Sequence, residues 1–226
     1  MKKKIAFGQQ VLAFHRELKP NMNLPKNIGW IDAYQASTTL SIFSQFLDKF
    51  YSDAGHRTYL FGINPGRFGA GVTGVAFTDP ILLEKKCGID SPFTKKHELS
   101  ALFIHEMIAA YGGVKAFYKQ FYITSLCPLG LIKDGKNYNY YDDAETLRST
   151  LPFVIESINA QIQFGCHRDK AFCLGKGTNF KVFNRLNKEN QWFKEIIPLP
   201  HPRWVMQYRR KQKIEFIDEY LQKLTN

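Results

Sequence analysis

TYLFGINPGRFGAGVTGVAF, residues 58–77, decides how the rest of the chain is read. It opens on the apolar run Tyr59-Leu60-Phe61-Gly62-Ile63 and stops at Asn64-Pro65-Gly66. A loop with few side chains then leads to Phe77. A short apolar run bounded by turn residues reads as a buried strand. An asparagine at its end, followed by glycines, lets a bulky flat ligand come close to the backbone.

Three further apolar runs have the same character: residues 120–126, 171–175 and 194–199. Helical patterns separate them, over residues 98–112, 144–163 and 178–190, and a last one covers 207–224. Pro152 predicts a kink in the second of these helices. Upstream, residues 5–18 and 37–51 carry apolar side chains at helical spacing, with Ser37 in the position of a cap. The stretch 20–25, with prolines at both ends, separates them. Strands alternating with helices predict an α/β fold: a three-layer α/β/α sandwich around a central, mainly parallel four-stranded sheet. Its 226 residues suit a single domain, with a helical N-terminal part over 1–57 and an α/β core over 58–226. No internal repeat or low-complexity linker interrupts it.

The formal net charge is +11, which favours a polyanionic partner such as nucleic acid, because lysines and arginines release counterions from phosphates. No run reaches the roughly 18 apolar residues of a membrane span. The basic start, MKKK, precedes too short an apolar stretch for a secretory leader. The cysteines at 87, 127, 166 and 173 form no CxxC pair, and no histidine stands at zinc-ligand spacing. They read as reduced thiols of a cytosolic protein.

In a parallel sheet, ligands bind beyond the carboxyl ends of the strands. Three strand ends supply Asn64, Ser125 and His201, and the first loop supplies Phe77. An amide, a hydroxyl, an imidazole and an aromatic face suit a planar polar ring. Singly, each has an ordinary structural use: a turn former, a buried hydroxyl, a packed ring. Their joint placement at one rim of the sheet is the signal.

Residues 62–77 resemble motif 1 of the single-strand-selective monofunctional uracil-DNA glycosylases, within the uracil-DNA glycosylase superfamily. Leu126-Cys127-Pro128-Leu129 resembles the family's middle motif, and His201-Pro202-Arg203-Trp204 its His-Pro motif 2. The resemblance runs from about residue 58 to the C-terminus and points to a divergent bacterial-type subgroup. It implies a uracil-DNA glycosylase-like fold and a monofunctional hydrolase that flips uracil out of DNA and excises it for base excision repair. The departure at Ser125 described below extends the expectation to other deaminated bases. By the same resemblance, Asn64 positions the attacking water and His201 stabilises charge on the leaving base. Phe77 stacks on the flipped base and Gly66 leaves the pocket floor open, while Gly62, Ile63, Phe68 and Ser125 complete the substrate-binding set. Arg203 and Trp204 belong to the segment that wedges into the duplex. Apart from the resemblance, the basic cluster of Arg203, Arg209, Arg210, Lys211 and Lys213 reads as phosphate contacts. No metal and no cofactor are implied. The expected partner is uracil-containing DNA, single- or double-stranded, met by a monomer in the bacterial cytosol and nucleoid, with no membrane.

The chain also departs from the family pattern. Ser125 stands where the family has an asparagine that reads the uracil edge, and Ala76 replaces a proline. The second motif is shorter than the family's. A hydroxyl cannot pair bidentately as an amide does, which broadens the expected base range. The rival within the same fold is an inactive DNA-lesion-binding protein. A nucleotide-binding enzyme is suggested only by Gly175-Lys176-Gly177, where Phe180 breaks the glycine fingerprint.

Overall fold

The apolar run at the head of the decisive stretch forms β2 (Thr58–Gly62), with Tyr59, Leu60 and Phe61 fully buried. The computed structural model describes residues 4–225. The first three residues of the basic start lie outside the described residues.

Two helices precede β2: α1 (Phe7–Glu17) and α2 (Ser37–Phe50), with β1 (Ile28–Ile31) between them. α1 buries Phe7, Val11 and His15, four residues apart, and α2 buries Ile42, Phe43, Phe46, Leu47 and Phe50. Those faces pack on each other, because helical periodicity puts such positions on one side. Ser37 is not the cap. It is the first helical residue, and Ala36 holds the cap position without a side-chain bond.

After β2 come the short helix α3 (Ala70–Thr73), then α4 (Pro80–Cys87), α5 (Leu99–Ala110) and α6 (Val114–Gln120). β3 (Phe121–Ser125) follows, then a hairpin of β4 (Gly130–Lys133) and β5 (Lys136–Tyr138). The long helix α7 (Ala144–Gln161) continues through Pro152 as one element. β6 (Lys170–Leu174), α8 (Thr178–Asn190) and β7 (Glu195–Leu199) complete the alternation. The chain closes with α9 (Pro202–Tyr208) and α10 (Lys213–Thr225).

The central sheet has four parallel strands in the order β3-β2-β6-β7, flanked by helices in a three-layer α/β/α arrangement. Gly62 stands opposite Ser125, and Leu174 opposite Leu199. The chain leaves β2 for β3 on one side, then crosses back to β6 on the other. That reversal opens a crevice beyond the carboxyl ends of β2 and β6.

Besides the cap of α2, three features differ from the expectation. A second sheet, antiparallel in the order β1-β4-β5, was not anticipated, and β1 lies in the part expected to be helical. Its strands are only three or four residues long, too short for period-two alternation to show. The helix expected over 207–224 is broken: α9 ends at Tyr208, residues 210–212 form a 3-10 turn, and α10 begins at Lys213. Between Tyr208 and Ile214 no apolar residue is available to bury, so nothing holds a continuous helix against the body there. Among the described residues, no helix is long and apolar enough to cross a membrane.

Candidate active site

Asn64 lies two residues beyond β2, and backbone groups far away in sequence hold its side chain. Nδ2 donates to the Tyr138 carbonyl at 3.0 Å, and Oδ1 accepts from the Tyr140 N–H at 3.2 Å. Both ends of the amide are engaged, so its orientation is fixed. The β4–β5 hairpin delivers these partners. Asp134 and Gly135, both at positive φ, make its tight turn. Tyr138 is anchored in turn by its hydroxyl, which donates to Asp143, the cap of α7. Tyr140 donates through its hydroxyl to Asn179 at 2.9 Å, and Asn179 Nδ2 reaches the Gly62 carbonyl. The strand end, the hairpin and the start of α8 thus form one hydrogen-bonded unit.

The glycine loop folds back on itself. The N–H groups of Gly69 and Gly71 both donate to the Gly66 carbonyl. Thr73 Oγ1 donates to Thr78 and accepts from the Val75 N–H, clamping the turn before Phe77. Phe77 itself has φ +50°, a strained conformation for a non-glycine residue that a clamped turn can sustain. Its ring lies over Gly62, where any Cβ would stand 3.0 Å from Cε2. Gly62 is therefore the residue that lets the ring reach the strand end.

His201 enters from the other side of the crevice, as the N-cap of α9. Nδ1 accepts from the Arg203 N–H at 3.1 Å, which leaves the ring proton on Nε2. Burial first, and Arg203 second, push its pKa down to about 4, so the imidazole is neutral near pH 7. Its ring centroid is 6.4 Å from that of Phe77.

Asn64, Gly66, Phe77 and His201 line one cleft of about 340 Å³, together with Ile63, Arg203 and Trp204. A volume of that size suits a single small planar ligand. Pro65 of the first motif joins them, and Glu98, Ser100, Asn137, Asn139, Gln207 and Tyr208, none of which lies in a motif, complete the lining.

Three expected substrate residues lie outside this lining, Gly62 because the Phe77 ring covers it. Ser125 faces a separate cavity of about 30 Å³, shared with His15 and Tyr34. Phe68 lines an outer groove of about 520 Å³ adjoining the cleft, with Lys96 Nζ 3.8 Å and Arg67 Cζ 4.6 Å from its ring centre. Arg67, Lys96, Lys136 and Arg203 make that groove basic. Trp204 is 42% exposed and Tyr208 67%, side by side at the cleft mouth. Arg209 stacks over Trp204, whereas Arg210 and Lys211 sit on the exposed 3-10 turn outside the cleft lining.

The fold has counterparts among known proteins. The family model of the uracil-DNA glycosylase superfamily matches residues 49–225. The chain belongs to that superfamily. The crystal structure of Pedobacter heparinus SMUG2 is 40% identical to it, covers 98% of each chain and superposes with a TM-score of 0.95. No curated protein matches. Superfamily membership makes the chain a DNA glycosylase, a hydrolase of DNA repair, with DNA as its substrate. All four of its cysteines are free and buried, and burial pushes the thiols of Cys127 and Cys173 up to about 12, which leaves them unreactive.

Glu98 is the carboxyl of the cleft. Burial first, then the nearby Asp79 carboxylate, push it up to about 7 from an ordinary 4.5, while Arg203 pulls it down. Its own N–H donates to Asp79 Oδ2, which His97 Nδ1 also meets at 3.3 Å. A carboxyl whose folded pKa is raised holds its proton longer in the folded state than in the unfolded one. Stability therefore falls as pH rises from about 4.5 to 7 and then levels off. Glu98→Gln is expected to match the parent protein in thermal unfolding at pH 4.5 and to exceed it at pH 8. Equal midpoints at pH 8 would show that the carboxyl ionises freely.

Proposed function

We propose that the chain extrudes uracil from DNA into the cleft and hydrolyses its N-glycosidic bond, with other deaminated bases as further substrates. The observation that carries this reading is the convergence of the Asn64 amide, the Phe77 ring and the His201 imidazole on one cleft. Extrusion costs a few kcal/mol, least for a mismatched or single-stranded base. Stacking on Phe77 returns roughly 1–3 kcal/mol. The electron pair of the C1′–N bond leaves with the base, and the His201 Nε2–H stabilises the base anion. Asn64 orients a water whose oxygen adds to C1′, and the proton it releases ends on the departing base. An amide is no strong base, which suits a dissociative reaction where the sugar is already electrophilic. The monofunctional course uses no lysine Schiff base, and no lysine stands beside Asn64 in the cleft lining. The enzyme acts as a monomer in the bacterial cytosol, without cofactor or metal.

Incubation with a uracil-containing oligonucleotide, followed by alkaline cleavage, tests this reading. Strand scission at the uracil is the expected result. Binding without scission would leave a lesion-binding protein instead.

The outer groove gives the DNA backbone its path. Arg67, Lys96, Lys136 and Arg203 supply positive charge beside the cleft. Each phosphate contact contributes about 0.7–0.9 to the slope of log K against log salt. Lys96→Ala with Lys136→Ala is expected to lower that slope by roughly 1.4–1.8, read by fluorescence anisotropy across a salt series. An unchanged slope would move the backbone path off this groove.

A further inference from the structure

Gly66 has no side chain, yet the space beyond it is occupied. A Cβ at Gly66 would stand 3.0 Å from Glu98 Oε1 and 3.2 Å from Asn137 Nδ2. A Cβ at Gly69 would collide with Glu98 Oε2. Two bare positions in the loop thus seat one carboxyl, delivered by the residue that precedes α5. Asn137 comes from β5, and its Oδ1 accepts from the Arg67 N–H at 3.1 Å, which turns Nδ2 toward Gly66. Among the described residues, neither Nδ2 nor the Glu98 carboxyl has a hydrogen-bond partner or an ion pair. Both side chains line the cleft.

Which edge of a bound base meets them follows from the role proposed for His201. Its Nε2–H serves the base anion best at the carbonyl beside the glycosidic nitrogen, next to the bond that breaks. The opposite flank of a pyrimidine ring carries C6 and C5. Asn64 and Gly66 form the wall on the β2 side, two strands away from β7, which delivers His201. C5 therefore faces Gly66 and the two polar tips behind it.

Resting on the uracil reading, we propose that Glu98 and Asn137 are the specificity-determining residues that make the cleft reject thymine. Uracil presents a bare C5–H and leaves both tips solvated. Thymine differs only by a methyl at C5, which would bury against an unpaired carboxyl and an unpaired amide. Desolvating polar groups without giving them partners is the strong form of discrimination, whereas shape alone distinguishes a methyl weakly. Gly66 has no side chain with which to exclude that methyl, so the residues behind it do so.

The test compares single-turnover release of uracil and of thymine, each opposite guanine in the same oligonucleotide. Glu98→Leu and Asn137→Leu replace a polar tip with an apolar one. Each is expected to raise the thymine-to-uracil ratio by about 10-fold or more. Glu98→Gln keeps a polar tip and is expected to keep the parent ratio. Thermal unfolding identifies any misfolded variant, and Asn137, which is exposed, provides a substitution that the fold tolerates. A ratio within about threefold of the parent in the folded leucine variants, undetectable thymine release included, overturns the assignment. In that case parent uracil release leaves the proposed function standing. A parent enzyme that releases no uracil overturns both.

Discussion

His201→Ala is expected to slow base release by about 10²- to 10³-fold, the cost of removing one preorganised donor from a site of developing negative charge. Affinity for DNA should change little, because phosphate contacts set it. The donor is the neutral ring. The Arg203 N–H occupies Nδ1, so the proton resides on Nε2, and a pKa of about 4 keeps the ring uncharged at working pH. A neutral donor gives the leaving anion a hydrogen bond without requiring the enzyme to bury a cation beside Arg203. It follows that no step in the pH–rate profile between pH 5.5 and 8 belongs to His201, since its folded pKa lies below that window. Single-turnover rates across that range, with anisotropy for binding, check both statements. Near-parental release by the alanine variant would remove His201 from the chemistry.

Much of this arrangement was legible in the sequence, and the reasons are local. β2 and β6 are nearly uninterrupted apolar runs, as strands covered on both faces must be. α8 matches its expected bounds at both ends because Gly177 stops the strand-side loop and Gln191, at φ +53°, turns the chain out of the helix. The glycines between Gly66 and Gly74 marked a tight loop, but the sequence did not show that the Glu98 and Asn137 side chains stand against Gly66. The β4–β5 hairpin left only one sign, the Asp134-Gly135 turn, since Lys133, Lys136 and Asn137 carry no alternation. The sequence placed Asn64 at the rim of the sheet but could not name what holds its side chain. In the fold its two closest partners are 74 and 76 residues away. Ser125 illustrates the limit of rim reasoning. The strand end was located correctly, but the hydroxyl faces a small cavity beside His15 instead of the cleft. Glu98 was unreadable as anything but a helix start, because its meaning depends on how α5 docks against the glycine loop.

Asn64→Ala is expected to cut release by about 10²-fold or more, the scale on which loss of positioning is felt in an enzyme that supplies no strong base. The substitution removes the group that orients water. It also strips the Tyr138 carbonyl and the Tyr140 N–H of their partner. Unpaired buried backbone groups cost about 1–3 kcal/mol each, although a half-buried hairpin end lets water replace part of the loss. A second variant separates the two consequences. Asn64→Asp keeps an acceptor for the Tyr140 N–H but sets an oxygen against the Tyr138 carbonyl, where the native Nδ2 donates. It should therefore loosen the hairpin more than alanine does. If water orientation is what Asn64 contributes, alanine loses rate with a modest fall in melting temperature, and aspartate loses more stability than alanine. If Asn64 only pins the hairpin, the rate loss in the two variants will follow their loss of stability, and conditions that restore folding will restore release. Single-turnover excision measured beside thermal unfolding for both variants distinguishes these outcomes.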